Sequence, residues 1–320
     1  MQGGERYYSI SDYLKTQFGR KTIKLSIDAG FTCPNRDGTL AYGGCAFCSS
    51  EGSGDFASSY VPGSVSESID KQIAQYASKW PDAACLAYFQ AHTNTYAPVG
   101  ELRTRYYEAL ADPRIEGIVI ATRPDCISDE VLDLLDEINR SHFMWVELGL
   151  QTIHRETSEL MGICCELSSY EDAVDRLLSR NIKVVTHLIL GLPSSVETDE
   201  SGRIFASRET DGQILDSVRF VCQKPIFGLK LHLLNVVTTS RLYHMLPDYV
   251  AFGSIDEYVD LVVRCLEIIP PGITIHRLTA DAPRKILVSP EWSYMKRTIL
   301  NNINRELKER DTRQGARSVR

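Results

Sequence analysis

Short runs rich in β-branched residues alternate along this chain with amphipathic helical patterns, and this alternation limits the fold more than any other feature. Strands that alternate with helices form βα units and a parallel sheet. Several of the runs are apolar nearly throughout, as strands covered on both faces should be. We predict strands at residues 22–28, 84–90, 117–122, 144–150, 183–190 and 229–236.

Six βα repeats favour an α/β fold, a partial (β/α)6 TIM-like barrel rather than a closed barrel of eight strands. A seventh strand-like run at 273–278 and a final amphipathic helix would follow as a C-terminal extension. We expect an N-terminal segment at 1–22, the barrel core at 23–236, and an extension at 237–320 with a basic helix and tail. The length of 320 residues suits this division, because α/β barrels often run this long as one unit.

Residues typical of helix N-termini precede several of the helical patterns. Ser64 begins a capping-box pattern, and Ser128, Ser168 and Ser254 stand before other helical periods. Residues 194–213 break the rhythm, since they are polar and separate the fifth strand from its helix. A loop of this length is uncommon. We expect either a mobile surface loop or a substrate lid, because barrel active sites lie at this end of the strands.

Charge and hydropathy bear on the class of protein. The net charge of −7 and the pI near 5.6 give no general electrostatic case for nucleic-acid binding. Residues 291–320 nevertheless hold eight Lys or Arg against four acids, which indicates either a solvated helix with a frayed tail or a phosphate contact. The first 20 residues lack a signal-peptide pattern, and no apolar run reaches the roughly 20 residues of a membrane span. We therefore expect a cytoplasmic protein without a membrane partner.

Three of the nine cysteines, Cys33, Cys45 and Cys48, follow the first predicted strand with the spacing C-x11-C-x2-C. A Cys-x-x-Cys pair can place two thiolates on one metal centre. Three thiolates would leave one iron of a 4Fe–4S cluster open, whereas electron-transfer clusters normally use four. The spacing also allows a zinc site with His92 or His187 as fourth ligand, or three unrelated structural cysteines.

The cysteine segment resembles the signature of the radical S-adenosylmethionine (SAM) superfamily, in which an aromatic residue precedes the last cysteine, as Phe47 does here. The wide first spacing is similar to that of the elongator-like branch, and most closely to the YhcC/YtqA-like group of bacterial radical SAM proteins. The resemblance extends over stretches at residues 28–48, 90–98, 122–126, 145–151, 186–193, 229–232 and 275–278. It implies that the three cysteines bind a 4Fe–4S cluster whose open iron binds SAM.

The resemblance also implies that SAM lies at the C-terminal rim of the barrel. Gln90 and Asn94 are candidates for contact with its methionine amino group, because both side chains donate and accept hydrogen bonds. The alternative is that they bond the backbone of their own turn. Glu147 and Gln151 are candidates for the ribose, since a buried carboxylate needs partners and hydroxyls can serve. Gly191 ends the fifth strand, where the backbone can approach adenine closely.

The candidate catalytic residues are Cys126 and His187. Cys126 lies in a stretch shared with the family, and His187 lies inside a strand from which it can face the cavity, as does His232. The alternative is that such histidines are satisfied core residues. Cys164 and Cys165 depart from the polar stretch that the family usually has at this place, and we interpret them as structural.

The resemblance implies radical chemistry. A reduced cluster donates one electron to bound SAM, which is cleaved to methionine and a 5′-deoxyadenosyl radical, and this radical abstracts hydrogen from the substrate. An electron donor such as flavodoxin or ferredoxin is an expected partner. The elongator-like branch suggests tRNA as substrate, with remodelling of a wobble-uridine side chain such as that of carboxymethylaminomethyl-uridine. The alternatives are a small metabolite or cofactor precursor as substrate, or a non-catalytic iron–sulfur or zinc sensor.

Overall fold

The computed structural model describes residues 6–50, 52, 65–202 and 204–318. Its strands are β1 (Thr22–Ile27), β2 (Ala84–Phe89), β3 (Ile115–Thr122), β4 (Phe143–Gln151), β5 (Lys183–Leu190), β6 (Pro193–Thr198), β7 (Ile204–Arg208), β8 (Gly228–Leu233), β9 (Val236–Val237), β10 (Thr274–Arg277) and β11 (Leu287–Ser289). Its helices are α1 (Ile10–Phe18), α2 (Val65–Ala77), α3 (Val99–Leu110), α4 (Asp129–Ser141), α5 (Arg155–Met161), α6 (Leu167–Ser179), α7 (Asp211–Val221), α8 (Arg241–Met245), α9 (Ile255–Ile268) and α10 (Lys296–Glu309).

Seven parallel strands form one sheet in the order β1-β2-β3-β4-β5-β8-β10, and this sheet curls into a half-barrel. The predicted partial barrel is therefore confirmed, with six strands at the expected places. The difference is β10, which we expected beyond the barrel and which pairs with β8 as the seventh strand. Its first residues, Thr274 and Ile275, are buried, so the C-terminal extension supplies part of the barrel wall.

The main core lies between the outer face of the sheet and the helices that cover it. Helix α2 packs on β1, α3 on β3, and α6 on β4 and β5. Leu102 and Tyr106 of α3, Leu135 of α4 and Leu177 of α6 are fully buried in this layer. Burying a large apolar side chain stabilises a fold by roughly 1.5–3 kcal/mol, so this layer holds the helices against the barrel.

A second apolar cluster lies on the inner face of the sheet, near the beginnings of the strands. It is formed by Leu86, Tyr88, Val119, Trp145 and Val185. Leu14 of α1 is buried against this cluster. The helix begins at Ser9, whose hydroxyl accepts from the Asp12 N–H, and ends at Gly19, which has a φ of 70°. Helix α1 contacts both edge strands, β1 and β10, and therefore closes this end of the barrel.

The polar stretch at 194–213 is not the long loop that we predicted. Strands β6 and β7 form an antiparallel hairpin, and α7 begins directly afterwards with a capping box between Thr210 and Gln213. The sequence pattern predicts a loop here because the hairpin is exposed and therefore contains few apolar residues. Val196 is 40% exposed and Phe205 is 45% exposed.

One of our two predictions for the C-terminal segment was a solvated helix with a frayed tail. In the structure the tail packs against the rest of the protein as far as residue 318. Gln314 is 1% exposed, and its amide nitrogen donates to the carbonyls of Pro270 and Ile273 at 2.8 and 2.7 Å. Two arginines of the basic segment form ion pairs within the chain, Arg310 with Asp260 at 2.7 Å and Arg317 with Glu267 at 3.2 Å. Much of the local positive charge is thus already neutralised.

The helix starts agree with the sequence patterns where the structure describes them. Ser128 and Ser254 cap α4 and α9 by accepting from the N–H groups of Val131 and Glu257. Helix α6 begins at Leu167, one residue before the expected start, and Ser64 lies outside the described residues. In the described part of the chain, no helix has the length and apolarity to cross a membrane.

Candidate active site

The C-terminal ends of the strands surround a cavity of about 530 Å³. Side chains from β1, β2, β4, β5, β8 and β10 line it, together with part of the cysteine loop. Sites for small molecules usually enclose roughly 300–1,000 Å³, so this cavity has room for a ligand the size of SAM. Gly149 of β4 keeps part of the space free, because a Cβ there would lie 2.7 Å from the amide nitrogen of Gln151.

The cysteine loop, residues 33–48, brings three thiols to the cavity wall, those of Cys33, Cys45 and Cys48. The loop is anchored at Ala46, which is fully buried. The Ala46 N–H donates to the Met161 carbonyl at the end of α5, and the Ala46 carbonyl accepts from the Leu242 N–H of α8, each at 2.7 Å. Two helices therefore fix the loop between its second and third cysteines.

Asn35 supports the loop from behind the thiols. Its side-chain amide donates to the Gly162 carbonyl at 3.0 Å and to the Cys45 sulfur at 3.3 Å. Hydrogen bonds from the Cys48 thiol and the Asn35 amide lower the pKa of Cys45 to about 7. A lower pKa favours the thiolate, which is the form that binds metals. Across the described ranges, no set of three His, Cys, Asp or Glu side chains is arranged to hold a metal ion.

Four of the other predicted site residues lie on the same cavity wall as the cysteines: Gln90, Glu147, Gln151 and His187. His92, the other suggested zinc ligand, also lies there, with a φ of 60°. Asn94, Gly191 and Cys126 are described by the structure but lie outside this wall. Four of the seven residues predicted in addition to the cysteines therefore lie together on the cavity wall, and the other three do not.

The three remaining residues form contacts within the protein. Asn94 is fully buried and donates through Nδ2 to the Ala121 carbonyl at 2.8 Å, which ties β3 to the preceding turn, while its Oδ1 has no hydrogen-bond partner among the residues described. The Gly191 carbonyl accepts from the Tyr249 hydroxyl at 2.8 Å. A Cβ on Gly191 would lie 2.8 Å from the Phe252 ring, so this backbone approaches the chain itself and not the cavity.

Cys126 lies in a 3-10 turn after β3 rather than on the cavity wall. Burial, and then the charge of Asp125, raise the pKa of its thiol to about 12. Its carbonyl accepts from the Thr95 hydroxyl at 2.6 Å. The raised pKa disfavours the thiolate, which is the reactive form of cysteine.

Glu147, which we predicted to contact the ribose, lies on the cavity wall and is bound by protein donors. Its carboxylate accepts from the Tyr88 hydroxyl at 2.6 Å and from the Trp145 indole at 3.0 Å. It also forms ion pairs with Lys230 and, at 3.6 Å, with Lys24. Burial alone would raise the pKa of Glu147, but Lys230 and Lys24 hold it well below its ordinary value.

Three histidines surround this buried ion pair, namely His187, His232 and His276. Burial and the nearby Lys230 lower the pKa of His187 to about 3. Burial lowers the pKa of the other two well below the ordinary value, with added effects from Arg277 on His232 and from Lys24 on His276. His187, which we predicted to be catalytic, is thus a neutral ring, and its Nε2 atom is buried without a hydrogen-bond partner in the described structure.

Sequence reasoning missed several charged residues of the cavity. Lys230, Arg277 and Lys296 all line it. The available signal was a lysine or arginine inside an otherwise apolar strand pattern, since a charge in a covered strand is costly unless it is paired. Lys230 and Arg277 both lie in stretches that the resemblance includes. The sequence did not show that their acidic partners are Glu147 and Asp281.

Models of two domain families match the chain. The radical SAM superfamily model matches residues 33–201, and the Radical_SAM C-terminal domain model matches residues 226–309. The uncharacterized protein YtqA of Bacillus subtilis is 39% identical over 97% of this chain and 92% of its own length. Protein YhcC of Escherichia coli is 33% identical over 92% of this chain and 90% of its own length.

More distant similarities extend this picture. The tRNA uridine(34) acetyltransferase of Methanocaldococcus infernus is 24% identical over 56% of this chain and 31% of its own length. Among solved structures, the archaeal Methanocaldococcus infernus Elp3 with an N-terminal deletion has the same fold. Its TM-score is 0.61 at 15% identity, over 92% of this chain and 64% of that chain.

The radical SAM superfamily match includes the cysteine loop and strands β2 to β5, and the C-terminal domain match includes β8 and β10. The similarity to YtqA and YhcC extends it through the seventh strand to nearly the whole chain. This chain therefore belongs to the radical SAM superfamily, whose enzymes bind a 4Fe–4S cluster and SAM.

Proposed function

We propose that Cys33, Cys45 and Cys48 bind the 4Fe–4S cluster and that SAM lies in the cavity beside them. The observation that supports this proposal is that three thiols of one anchored loop line the same cavity as Gln90 and Gln151. The donor set fits the group, since thiolates are the usual ligands of iron–sulfur clusters. Three ligands leave one iron for the amino and carboxylate groups of SAM.

Gln151 supports a polar ligand in this cavity. It ends β4 with a φ of 72°, and its Oε1 atom is buried without a hydrogen-bond partner among the residues described. A buried acceptor without a partner costs roughly 1–3 kcal/mol, so a hydroxyl or ammonium group of the ligand is a natural donor. Gln90 is oriented by the Ser26 hydroxyl, which donates to its Oε1 at 2.8 Å.

The three cysteines would hold the cluster, which would supply the electron for reductive cleavage of SAM and so allow hydrogen abstraction from a C–H bond. The residues of this chain hold and orient the reactants, and they exclude water. In this assignment Gln90 and Gln151 orient the polar groups of SAM, and the neutral ring of His187 offers a hydrogen bond in the cavity. Cys126, the other residue that we predicted to be catalytic, has no role in this assignment because it lies outside the cavity wall.

The substrate that we propose is a uridine side chain in tRNA, with flavodoxin or ferredoxin as the electron donor, in the cytoplasm. The support for tRNA is the distant relative named tRNA uridine(34) acetyltransferase. The basic C-terminal segment adds little to this, because Arg310 and Arg317 already bind acids of the chain. The cavity itself must therefore select the uridine.

Anaerobic reconstitution tests the cluster and SAM. We expect a brown protein with about four irons per chain that forms 5′-deoxyadenosine from SAM after reduction. Cys48→Ala should lose iron and this reaction together. Cys222→Ala is the matched control, because Cys222 ends α7 in the outer layer and should leave both unchanged. A wild-type protein that binds zinc and leaves SAM intact would overturn the proposal.

A comparison of tRNA nucleosides tests the substrate. Cells that lack the protein should accumulate one modified uridine and lose another in their tRNA. The wild-type gene should restore the pattern, and Cys48→Ala should not. Unchanged nucleosides in the deleted strain would rule out tRNA, while leaving the cluster assignment to the reconstitution experiment.

A further inference from the structure

The part of the cavity wall formed by β8, β10 and the start of α10 carries an excess of positive charge. We call it the cationic wall and define it by Lys230, Asn235, Arg277 and Lys296, all of which line the cavity. Each acid nearby is shared between two cations. Glu147 binds both Lys230 and Lys24, and Asp281 faces both Lys296 and Arg277. Two carboxylates thus face four basic side chains.

Arg277 is the least satisfied of these cations. Its Nη2 atom lies 3.6 Å from the nearest Asp281 oxygen, which is too long for a hydrogen bond. A guanidinium group offers five N–H donors in a planar fork that matches the two oxygens of a carboxylate or phosphate. The side chain is 30% exposed, so a ligand can reach it.

Asn235 gives an independent indication of a ligand. The residue is 9% exposed, lies on the cavity wall, and has neither its Nδ2 nor its Oδ1 atom hydrogen-bonded within the described residues. Buried side-chain amides usually have partners, because an unpaired polar group in the interior loses its hydrogen bonds to water without replacement. A polar ligand in the cavity that Asn235 shares with Arg277 would satisfy this amide.

We propose that Arg277, Lys296 and Asn235 bind an acidic group of the substrate, either a carboxylate or a phosphate. This inference rests on the proposed function, because it assumes that SAM occupies the cysteine side of the cavity. The carboxylate of SAM is then used at the open iron, so a second anion site serves a second molecule. The cationic wall selects a substrate with a negative charge near the reacting carbon.

Deuterium transfer tests this inference on a substrate that is not yet identified. Cells that lack the protein are grown in heavy water, and three fractions are prepared from them: tRNA, small molecules retained by an anion-exchange resin at pH 7, and small molecules that pass through it. Each fraction is added to the reconstituted protein with unlabelled SAM. We expect 5′-deoxyadenosine with one deuterium from the tRNA or from the retained fraction. Phosphatase treatment, after nuclease digestion for tRNA, then distinguishes a phosphate from a carboxylate.

Variants connect the transfer to the cationic wall. Arg277→Gln should raise the KM for the active fraction at least tenfold, with a smaller effect on kcat, and Arg277→Lys should restore part of the loss. Lys296→Gln, at a partly exposed position, should also raise KM. Arg219→Gln removes the same charge from the outer surface of α7 and should match the wild type. Circular dichroism and iron content check that each variant is folded and loaded.

Several results would overturn the inference while leaving the proposed function standing. One is deuterium transfer only from the fraction that passes through the resin, and another is no transfer from any fraction by a protein that still cleaves SAM. A third is an unchanged KM in both folded variants, Arg277→Gln and Lys296→Gln. By contrast, a wild-type protein that binds no cluster and cleaves no SAM contradicts the proposed function itself.

Discussion

Glu147 connects the polar interior of the barrel to four different strands. Its carboxylate contacts Lys24 of β1, Tyr88 of β2, Trp145 of β4 and Lys230 of β8. Trp145 lies two residues away on the same strand, but Lys24, Tyr88 and Lys230 are far from Glu147 in sequence. Their contacts with Glu147 therefore form only when the barrel closes. A buried ion pair adds little net stability, but removal of one partner leaves an uncompensated charge.

Glu147→Gln should therefore lower the free energy of unfolding by about 3–5 kcal/mol, because Lys24 and Lys230 lose their shared counter-ion. Urea unfolding of the protein without cofactors measures this change. Glu116→Gln is the control, since Glu116 pairs with Arg20 at the protein surface and such pairs contribute about 0–1 kcal/mol. Equal losses in the two variants would contradict a buried role for Glu147.

The three interior histidines predict how stability depends on pH. Their folded-state pKa values lie below the ordinary value of 6.5, and that of His187 is about 3. Below pH 6.5 the unfolded chain therefore binds protons that the folded protein does not, so stability falls as the pH drops toward 4. At higher pH all three are neutral in both states, and this contribution is complete.

His276→Phe tests this dependence. His276 packs edge-on against Trp145 and Phe227, so a phenyl ring can take its place, although the contact to the Thr274 hydroxyl is lost. The variant should bind about one proton fewer on unfolding near pH 5.5, which lowers the slope of stability against pH by about 1.2 kcal/mol per unit. Unfolding curves at several pH values give the slope, and an unchanged slope would show that His276 is protonated in the fold.

At the scale of elements, hydrophobic periodicity predicted the strands that both faces of the barrel cover. Strands β1, β2, β5 and β8 begin within one residue of their predicted starts. It failed for α1 and for the hairpin of β6 and β7. The hairpin is too polar to show a pattern, and α1 is short, with a cap at Ser9 and a stop at Gly19 as its main signals.

The parts of the candidate site whose residues are close together in the sequence could be predicted. The parts that depend on contacts between residues far apart in the sequence could not. The cysteines were found because three of them stand within 16 residues of one loop. Asn94 and Gly191 lie outside the cavity wall because position at a strand end does not determine which way a group faces. Lys230 and Arg277 were overlooked because their counter-ions come from other strands, and a single sequence gives no record of such contacts.

Leu14→Ala tests whether α1 closes the barrel. Removal of this buried side chain should lower the free energy of unfolding by about 2–5 kcal/mol and reduce the near-ultraviolet dichroism of Trp145, which lies in the same cluster. Lys15→Ala is the control, because Lys15 is exposed and should cost less than about 0.5 kcal/mol. An equally small loss of unfolding free energy in Leu14→Ala would show that α1 contributes little to the stability of the barrel.

At the scale of the whole molecule, the contacts that hold the barrel together do not involve the three thiols of the cysteine loop. The outer core joins sheet and helices, while the inner cluster and α1 close the end of the barrel that lies away from the cysteines. The tail adds a further clasp, since the Gln314 side chain accepts from the Tyr8 N–H at 2.8 Å. None of these contacts uses the thiol of Cys33, Cys45 or Cys48.

The triple variant Cys33→Ser, Cys45→Ser and Cys48→Ser should therefore fold. We expect the helix content of the unreconstituted wild-type protein and a free energy of unfolding within about 1 kcal/mol of it, because the substitutions are small and lie at a cavity wall. Far-ultraviolet dichroism and urea unfolding measure both quantities. An unfolded triple variant would show that the thiols stabilise the barrel.

The closure of the barrel by α1 predicts the order in which the protein matures. We expect the polypeptide to reach its folded state first, so that the inorganic group enters a barrel that is already folded. Iron starvation should then leave a reserve of intact, inactive protein in the cell. When iron returns, activity should recover at the pace of cluster delivery, without new synthesis of the chain.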